Sequence, residues 1–375
     1  MSGNMRQVAV LPGTGIGPEV TTQAVRIAEW FATKRALPIN LSHPPAGPAA
    51  YASHGTPMPD STLEALRTSD AILYGAAGGP EIDAMPKQAQ EAGGLRRLRR
   101  EFQMFANLRP VAAHPSMLDA STLKREVIEG VDMIIVRELA GGIYFGEPRG
   151  IEILPDGRKR GVNTQVYTTD EVERVARVAF ELARGRSGRL TSVDKANVME
   201  SGVMWREEVE RLHKAEFPDI KLNHLYVDNA AMQLVRDPRQ FDVVVTDNIF
   251  GDILSDCAAM ITGSLGMLPS ASLSAPDAAP DAKGRRCALF EPVHGSAPDI
   301  AGRGIANPIG AILSFGLALR HVLGTPEDAK LLDRAVGDAL DRVRTADIMQ
   351  AGRERVSTAG MGDAVLAALD RLNGA

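Results

Sequence analysis

The stretch Val243-Val-Val-Thr-Asp-Asn-Ile-Phe-Gly-Asp252-Ile-Leu-Ser-Asp256 decides the fold. Val243 to Thr246 is a short β-branched run, the kind of segment that a strand buried on both faces requires. It leads directly into a segment whose apolar residues, Ile249, Phe250, Ile253, Leu254 and Cys257, recur at helical spacing. A strand feeding a helix in this way is the building unit of α/β proteins. The same helix carries Asp252 and Asp256, four residues apart and therefore on one face, where like charges repel unless a cation lies against them. A solvated acidic face is the ordinary explanation of such a pair. This helix is too apolar to be mostly exposed, so the pair reads instead as an oxygen-only site for magnesium or manganese, with no cluster of His or Cys to favour a softer metal.

Working outward, the strand pattern recurs at Val8 to Leu11, Ala71 to Tyr74, Met133 to Val136, Leu190 to Val193 and Leu222 to Val227. Helical patterns fall between, at Glu19 to Thr33, Leu95 to Phe105, Asp170 to Arg184 and Val203 to Ala215. The alternation predicts an α/β fold with substantial parallel sheet, and 375 residues favour two domains over one. Gly146 to Tyr167 interrupts it: Pro155-Asp-Gly157 between two polar extended stretches predicts an antiparallel arm with a turn, suited to pairing with another subunit. Ser272 to Arg286, rich in Ala, Pro, Asp and Ser, reads as a surface loop.

Composition excludes several classes. A net charge of −5 gives no footprint for DNA or RNA, and no apolar run approaches a membrane span. Val8 to Leu11 meets Pro12 and Gly13 too soon to form a signal-peptide core, so the expected compartment is the cytoplasm. Cys257 and Cys287, the only cysteines, sit in apolar or mixed segments and read as reduced buried thiols.

Gly13-Thr-Gly-Ile-Gly-Pro18 invites a dinucleotide fingerprint and fails it, because Pro18 stands where the third glycine is needed. What remains is a tight turn whose backbone can approach a ligand closely. Asp228 follows a strand-like run, where ligands of α/β proteins collect, although alone it reads as a turn residue. Lys195 also follows a strand; near a divalent cation a lysine serves as a base, and a surface lysine is the plain alternative. Arg99, Arg109 and Arg137 have the fork that binds carboxylates, while Arg97 and Arg100 fit a solvated basic face. Tyr144, set among glycines, reads equally as a proton donor and as an aromatic with a polar tip. Phe290 to Ile300 is a loop whose His294, amides and Asp299 suit an adenine and a ribose, an aspartate there favouring NAD over NADP.

Together these segments closely resemble the β-decarboxylating 3-hydroxyacid dehydrogenases, which act on isopropylmalate, isocitrate, homoisocitrate and tartrate. The resemblance covers nearly the whole chain. Phe105 to Pro110, Val136 to Gly150, Ser192 to Asn197, Asn248 to Asp256 and His294 to Pro308 are most similar to the isopropylmalate branch. It implies a two-domain fold distinct from the Rossmann fold. One NAD-binding domain is made of residues 1–104 and 263–375; the other, residues 105–262, carries dimerisation, metal and substrate, with the arm at about 139–167. Arg99, Arg109 and Arg137 would take malate carboxylates, with Leu95, Arg96, Asn197 and Val198 also around the substrate. Asp228, Asp252 and Asp256 would hold Mg2+ or Mn2+, Lys195 would be the base, and Tyr144 would protonate the enolate. Ile16, Glu291, His294, Gly295, Ser296, Ala297, Asp299, Ile300 and Asn307 would surround NAD. A homodimer with shared active sites is implied, with Lys195 and Asp228 supplied by the partner chain.

Three positions depart from the isopropylmalate pattern: Thr14 for Asp, Ala92 for Glu and Arg96 for the second of two leucines. A buried guanidinium beside an isopropyl group is unfavourable, whereas one facing a third carboxylate is not. The expected activity is therefore NAD-dependent oxidative decarboxylation of a 3-substituted malate, 3-isopropylmalate first and a carboxylated relative such as homoisocitrate second. Arg96 turned outward would remove the conflict. A non-catalytic regulator that binds an acid or nucleotide is the reading of another class.

Overall fold

The computed structural model describes residues 5–274 and 287–374. Its strands in chain order are β1 (Arg6–Gly13), β2 (Ile39–Ser42), β3 (Ala71–Ala76), β4 (Met104–Ala112), β5 (Asp132–Glu138), β6 (Gly146–Ile153), β7 (Lys159–Thr164), β8 (Arg189–Asp194), β9 (Lys221–Tyr226), β10 (Val243–Thr246), β11 (Pro269–Ser274) and β12 (Ala288–Pro292). The chain divides into two units. The first takes the chain up to Met104, Ala113–Arg125 and the chain from Thr262 onward; the second takes Phe105–Ala112 and Glu126–Ile261.

In the first unit the strand order is β2-β1-β3-β12-β11. All neighbours run parallel except β11 and β12, which are antiparallel. Every residue of β3 is buried, which is why its sequence is an unbroken run of small and apolar side chains. Helix Gly17–Lys34 packs on helix Ile309–His321, and Phe31 meets Phe315 with ring centroids 6.1 Å apart. The second of these helices is apolar on every side up to Leu319, where it is almost wholly buried, and turns polar only at Arg320 and His321.

In the second unit the order is β4-β5-β10-β8-β9, parallel except that β4 runs against β5. Helices Thr169–Arg184 and Glu200–Glu216 pack together beside it. The parallel strands β5, β8, β9 and β10 end at Glu138, Asp194, Tyr226 and Thr246, so Arg137 sits at the carboxyl end of β5 and the segments bearing Lys195, Asp228 and Asp252 leave from carboxyl ends. β6 and β7 form the antiparallel arm, with a turn in which the Gly157 N–H donates to the Leu154 carbonyl at 2.9 Å.

Four expectations need correction. The helix read over Leu95 to Phe105 ends at Glu101; Gln103 adopts φ of 48°, and Phe105 already lies in β4. Phe105 is buried in a strand as it would be in a helix, so apolar periodicity alone could not place the boundary. The run Leu222 to Val227 ends as a strand at Tyr226, and Asp228 sits in the first turn of helix Val227–Arg236. Cys287 is buried, but Cys257 is exposed, because it lies on the outer side of its helix with Ile253 and Met260. Of the stretch Ser272 to Arg286, Ser272–Ser274 close β11, and 275–286 lie outside the described residues. No described helix is long and apolar enough to cross a membrane.

Candidate active site

In the second unit, β4 and β5 present Arg109 and Arg137 to the helix that begins at Asn248. Register pairs Arg109 with Ile135 and places Arg137 opposite Thr246, two residues before that helix starts. Arg109 donates from Nη1 to Asp256 Oδ1 at 3.2 Å and from Nη2 to Asp252 Oδ1 at 3.4 Å. One guanidinium spans both carboxylates, as the four-residue spacing requires. Arg137 Nη1 also donates to Asp252 Oδ1, and Tyr144 Oη donates to Asp252 Oδ2 at 3.1 Å. The Arg137 guanidinium lies 5.9 Å from the centre of the Tyr144 ring. Burial, and then the charge of Asp252, hold the Tyr144 phenol above its usual range. Five residues expected from the sequence thus meet in one cluster of two guanidiniums, two carboxylates and a phenol.

Lys195 and Asp228 form a separate pair: Lys195 Nζ lies 2.9 Å from Asp228 Oδ1, and this contact holds the Asp228 carboxyl below its ordinary value. Asn197 and Val198, just beyond Lys195, are exposed. Among the described residues no three His, Cys, Asp or Glu side chains gather as a metal site, so Asp228 does not join Asp252 and Asp256 within one chain. Two carboxylates on one partly exposed helix face nevertheless fit magnesium or manganese, which bind through one or two carboxylates and fill their shell with water and substrate oxygens.

In the first unit the glycine-rich turn is fastened to the loop after β12. The Ile16 N–H donates to the Ser296 carbonyl at 2.9 Å, and a Cβ on Gly15 would collide with that same carbonyl. Pro18 lies in the first turn of the following helix. Thr14 donates its hydroxyl to the Gly78 carbonyl at 2.7 Å, so it ties two backbone turns together. His294 Nδ1 lies 2.9 Å from the Gly295 carbonyl, which leaves Nε2 as an acceptor; it is buried with no partner among the described residues, and burial holds the imidazole below its usual pKa. A buried acceptor awaiting a donor fits the amino group of an adenine. Gly295 and Asp299 are exposed, Ile300 is half-buried, and Ala297 takes φ of 39°. Asn307 is occupied internally, accepting from the Ile309 N–H at 3.0 Å and donating to Asp347 at 3.1 Å. Glu291 pairs with Arg99 at 3.1 Å. Leu95 is half-buried, and Arg96 on the same helix is exposed, its charge turned to solvent.

Several residues were not singled out from the sequence. Asn107 and Ser255 hold Arg109 at 2.8 and 2.5 Å, and Asn248 holds Arg137. Asn248 and Ser255 lie inside the opening motif, but only side-chain geometry gives them a task. Glu138 is fully buried, accepts the N–H groups of Ala140 and Gly141 at 2.8 Å, and is pushed up to about 7 by burial. Asp247 is likewise raised to about 6 by burial while Gln165 donates to it at 2.7 Å.

A family model described as isocitrate/isopropylmalate dehydrogenase matches residues 7–365. The chain is 60% identical over 372 residues to 3-isopropylmalate dehydrogenase 1 of Bradyrhizobium diazoefficiens, covering 99% of this chain and 97% of that one. It is 55% identical over 369 residues to 3-isopropylmalate dehydrogenase of Paramagnetospirillum magneticum, covering 98% and 99%. Among solved structures, isocitrate dehydrogenase from Methylococcus capsulatus superposes with a TM-score of 0.79 at 33% identity, covering 97% of this chain and 99% of that one.

Proposed function

The chain belongs to the isocitrate/isopropylmalate dehydrogenase family, and on that premise we propose that it oxidises 3-isopropylmalate with NAD and releases carbon dioxide, a step of leucine biosynthesis. The observation that carries the reading is the neutral cluster of Arg109, Arg137, Asp252 and Asp256. A malate dianion that takes over the two guanidiniums leaves the cluster neutral only if a double positive charge joins the two carboxylates, which lie four residues apart on one helix face and repel one another. A dicarboxylate together with a divalent cation meets that condition.

Arg109 and Arg137 orient the malate carboxylates by forked hydrogen bonds. Asp252 and Asp256 would hold magnesium or manganese, which when bound would supply a Lewis acid for the substrate oxygens. Lys195 Nζ, in its neutral form, would accept the hydroxyl proton, and NAD would be the hydride acceptor. Tyr144 Oη supplies the proton to the carbon that loses carbon dioxide. In the first unit, Arg99 offers a further guanidinium and Leu95 an apolar contact. The turn at Ile16 and the loop from Glu291 through His294, Ser296, Ala297, Asp299 and Ile300 to Asn307 form the nucleotide cradle. We assign Lys195 and Asp228 to the active site of a second copy. Asp228 lies apart from Asp252 and Asp256, and unit two exposes apolar side chains at Met232, Val235, Ile253, Met260, Ile151 and Ile153.

The test is the purified chain with NAD and magnesium, NADH absorbance being followed with isopropylmalate, homoisocitrate, isocitrate, tartrate and malate. Isopropylmalate should turn over fastest. Preference for homoisocitrate would move the assignment to the carboxylated branch, and no turnover with any of them would leave a ligand-binding regulator.

A further inference from the structure

We propose that Asn248 is the positioning residue that aims Arg137 and seats the turn carrying Tyr144. The proposal rests on the reading of Arg137 as a substrate-carboxylate ligand. Asn248 is fully buried, and its side chain divides between the two functional segments. Its Oδ1 accepts from Arg137 Nε at 3.0 Å and from Nη2 at 2.8 Å, gripping one edge of the guanidinium and directing Nη1 toward Asp252. Its Nδ2 donates at 3.0 Å to the carbonyl of Gly141, the residue before the turn Gly142–Tyr144. Its own N–H donates to Tyr167 Oη at 2.9 Å. The Tyr167 ring lies against Gly141 and Gly142 closely enough that a Cβ on either would collide with it.

The chemistry requires an amide. The position facing Arg137 needs an acceptor and the position facing Gly141 needs a donor, and Asn offers them on two separate atoms of one short amide. Aspartate keeps the acceptor but sets a second oxygen against the Gly141 carbonyl. Its charge also competes with the substrate for Arg137. An unheld arginine samples many rotamers, so Asn248 lowers the entropy lost when the carboxylate binds.

The experiment is a double-mutant cycle on the full chain with Asn248→Ala, Arg137→Lys and the pair, reading KM and kcat for isopropylmalate and the thermal midpoint of each variant. Hydrogen bonds to charged groups predict that Asn248→Ala raises KM about tenfold or more in the native background. With Arg137→Lys, which has no edge to grip, the same change should move KM by less than about twofold. An equal factor in both backgrounds, or an unchanged KM for Asn248→Ala, overturns the proposal. If Arg137→Lys leaves KM unaltered, the substrate role of Arg137 fails, and the positioning role falls with it. Should the alanine variant not fold, the uncharged Asn248→Ser replaces it in the same cycle: a raised KM that vanishes in the Arg137→Lys background supports the role, and an unaltered KM or an equal factor in both backgrounds removes it.

Discussion

At the scale of single residues, Arg96 carries the question of substrate side chain. Its guanidinium is exposed while Leu95 beside it is half-buried, which relieves the conflict between a buried charge and an isopropyl group. Arg96→Leu should raise kcat/KM for isopropylmalate by up to about tenfold and depress it for homoisocitrate, since one apolar contact is worth no more than a few kcal/mol. Steady-state kinetics with both acids checks this; parallel changes for the two would remove Arg96 from the substrate pocket. Thr14 is the opposite case, since its hydroxyl bond to Gly78 accounts for the departure by local structure alone.

At the scale of elements, the decisive contact is between helix Asn248–Thr262 and strand β5. Gly251 is buried, and a Cβ there would lie 2.7 Å from Cβ and Cγ of Arg137. Alanine gains about 1 kcal/mol of helix propensity over glycine, while overpacking costs about 1 to 3 kcal/mol. The balance runs from about zero to about 2 kcal/mol against the variant, so Gly251→Ala should lower the thermal midpoint while raising KM for isopropylmalate as Arg137 is displaced. Paired melting and kinetic measurements separate these effects, and an unaltered KM would show that the helix tolerates the methyl group without moving the arginine. The same contact explains a limit of periodicity. The apolar pattern located this helix, yet Ile253, Cys257 and Met260 proved to be on its exposed side.

At the scale of the whole molecule, the absence of Asp228 from the aspartate pair, and its pairing with Lys195, make a prediction about assembly. Lys195→Ala and Asp252→Asn chains, each inactive alone, should recover activity when refolded together. In a random mixture half of the dimers are mixed and each holds one intact site, giving about a quarter of native activity. Absence of any recovery would mean that each chain builds its site alone. What the sequence by itself determined was the alternation of strands and helices, the arm, and the one-face pairing of Asp252 with Asp256, because these depend on period and spacing along a single element. The end of helix Gly94–Glu101, the place of Asp228 in a helix, the exposure of Cys257 and the grip of Asn248 on Arg137 were decided only by the tertiary structure. Each depends on which atoms approach from elements distant in the chain, and local periodicity carries no record of those approaches.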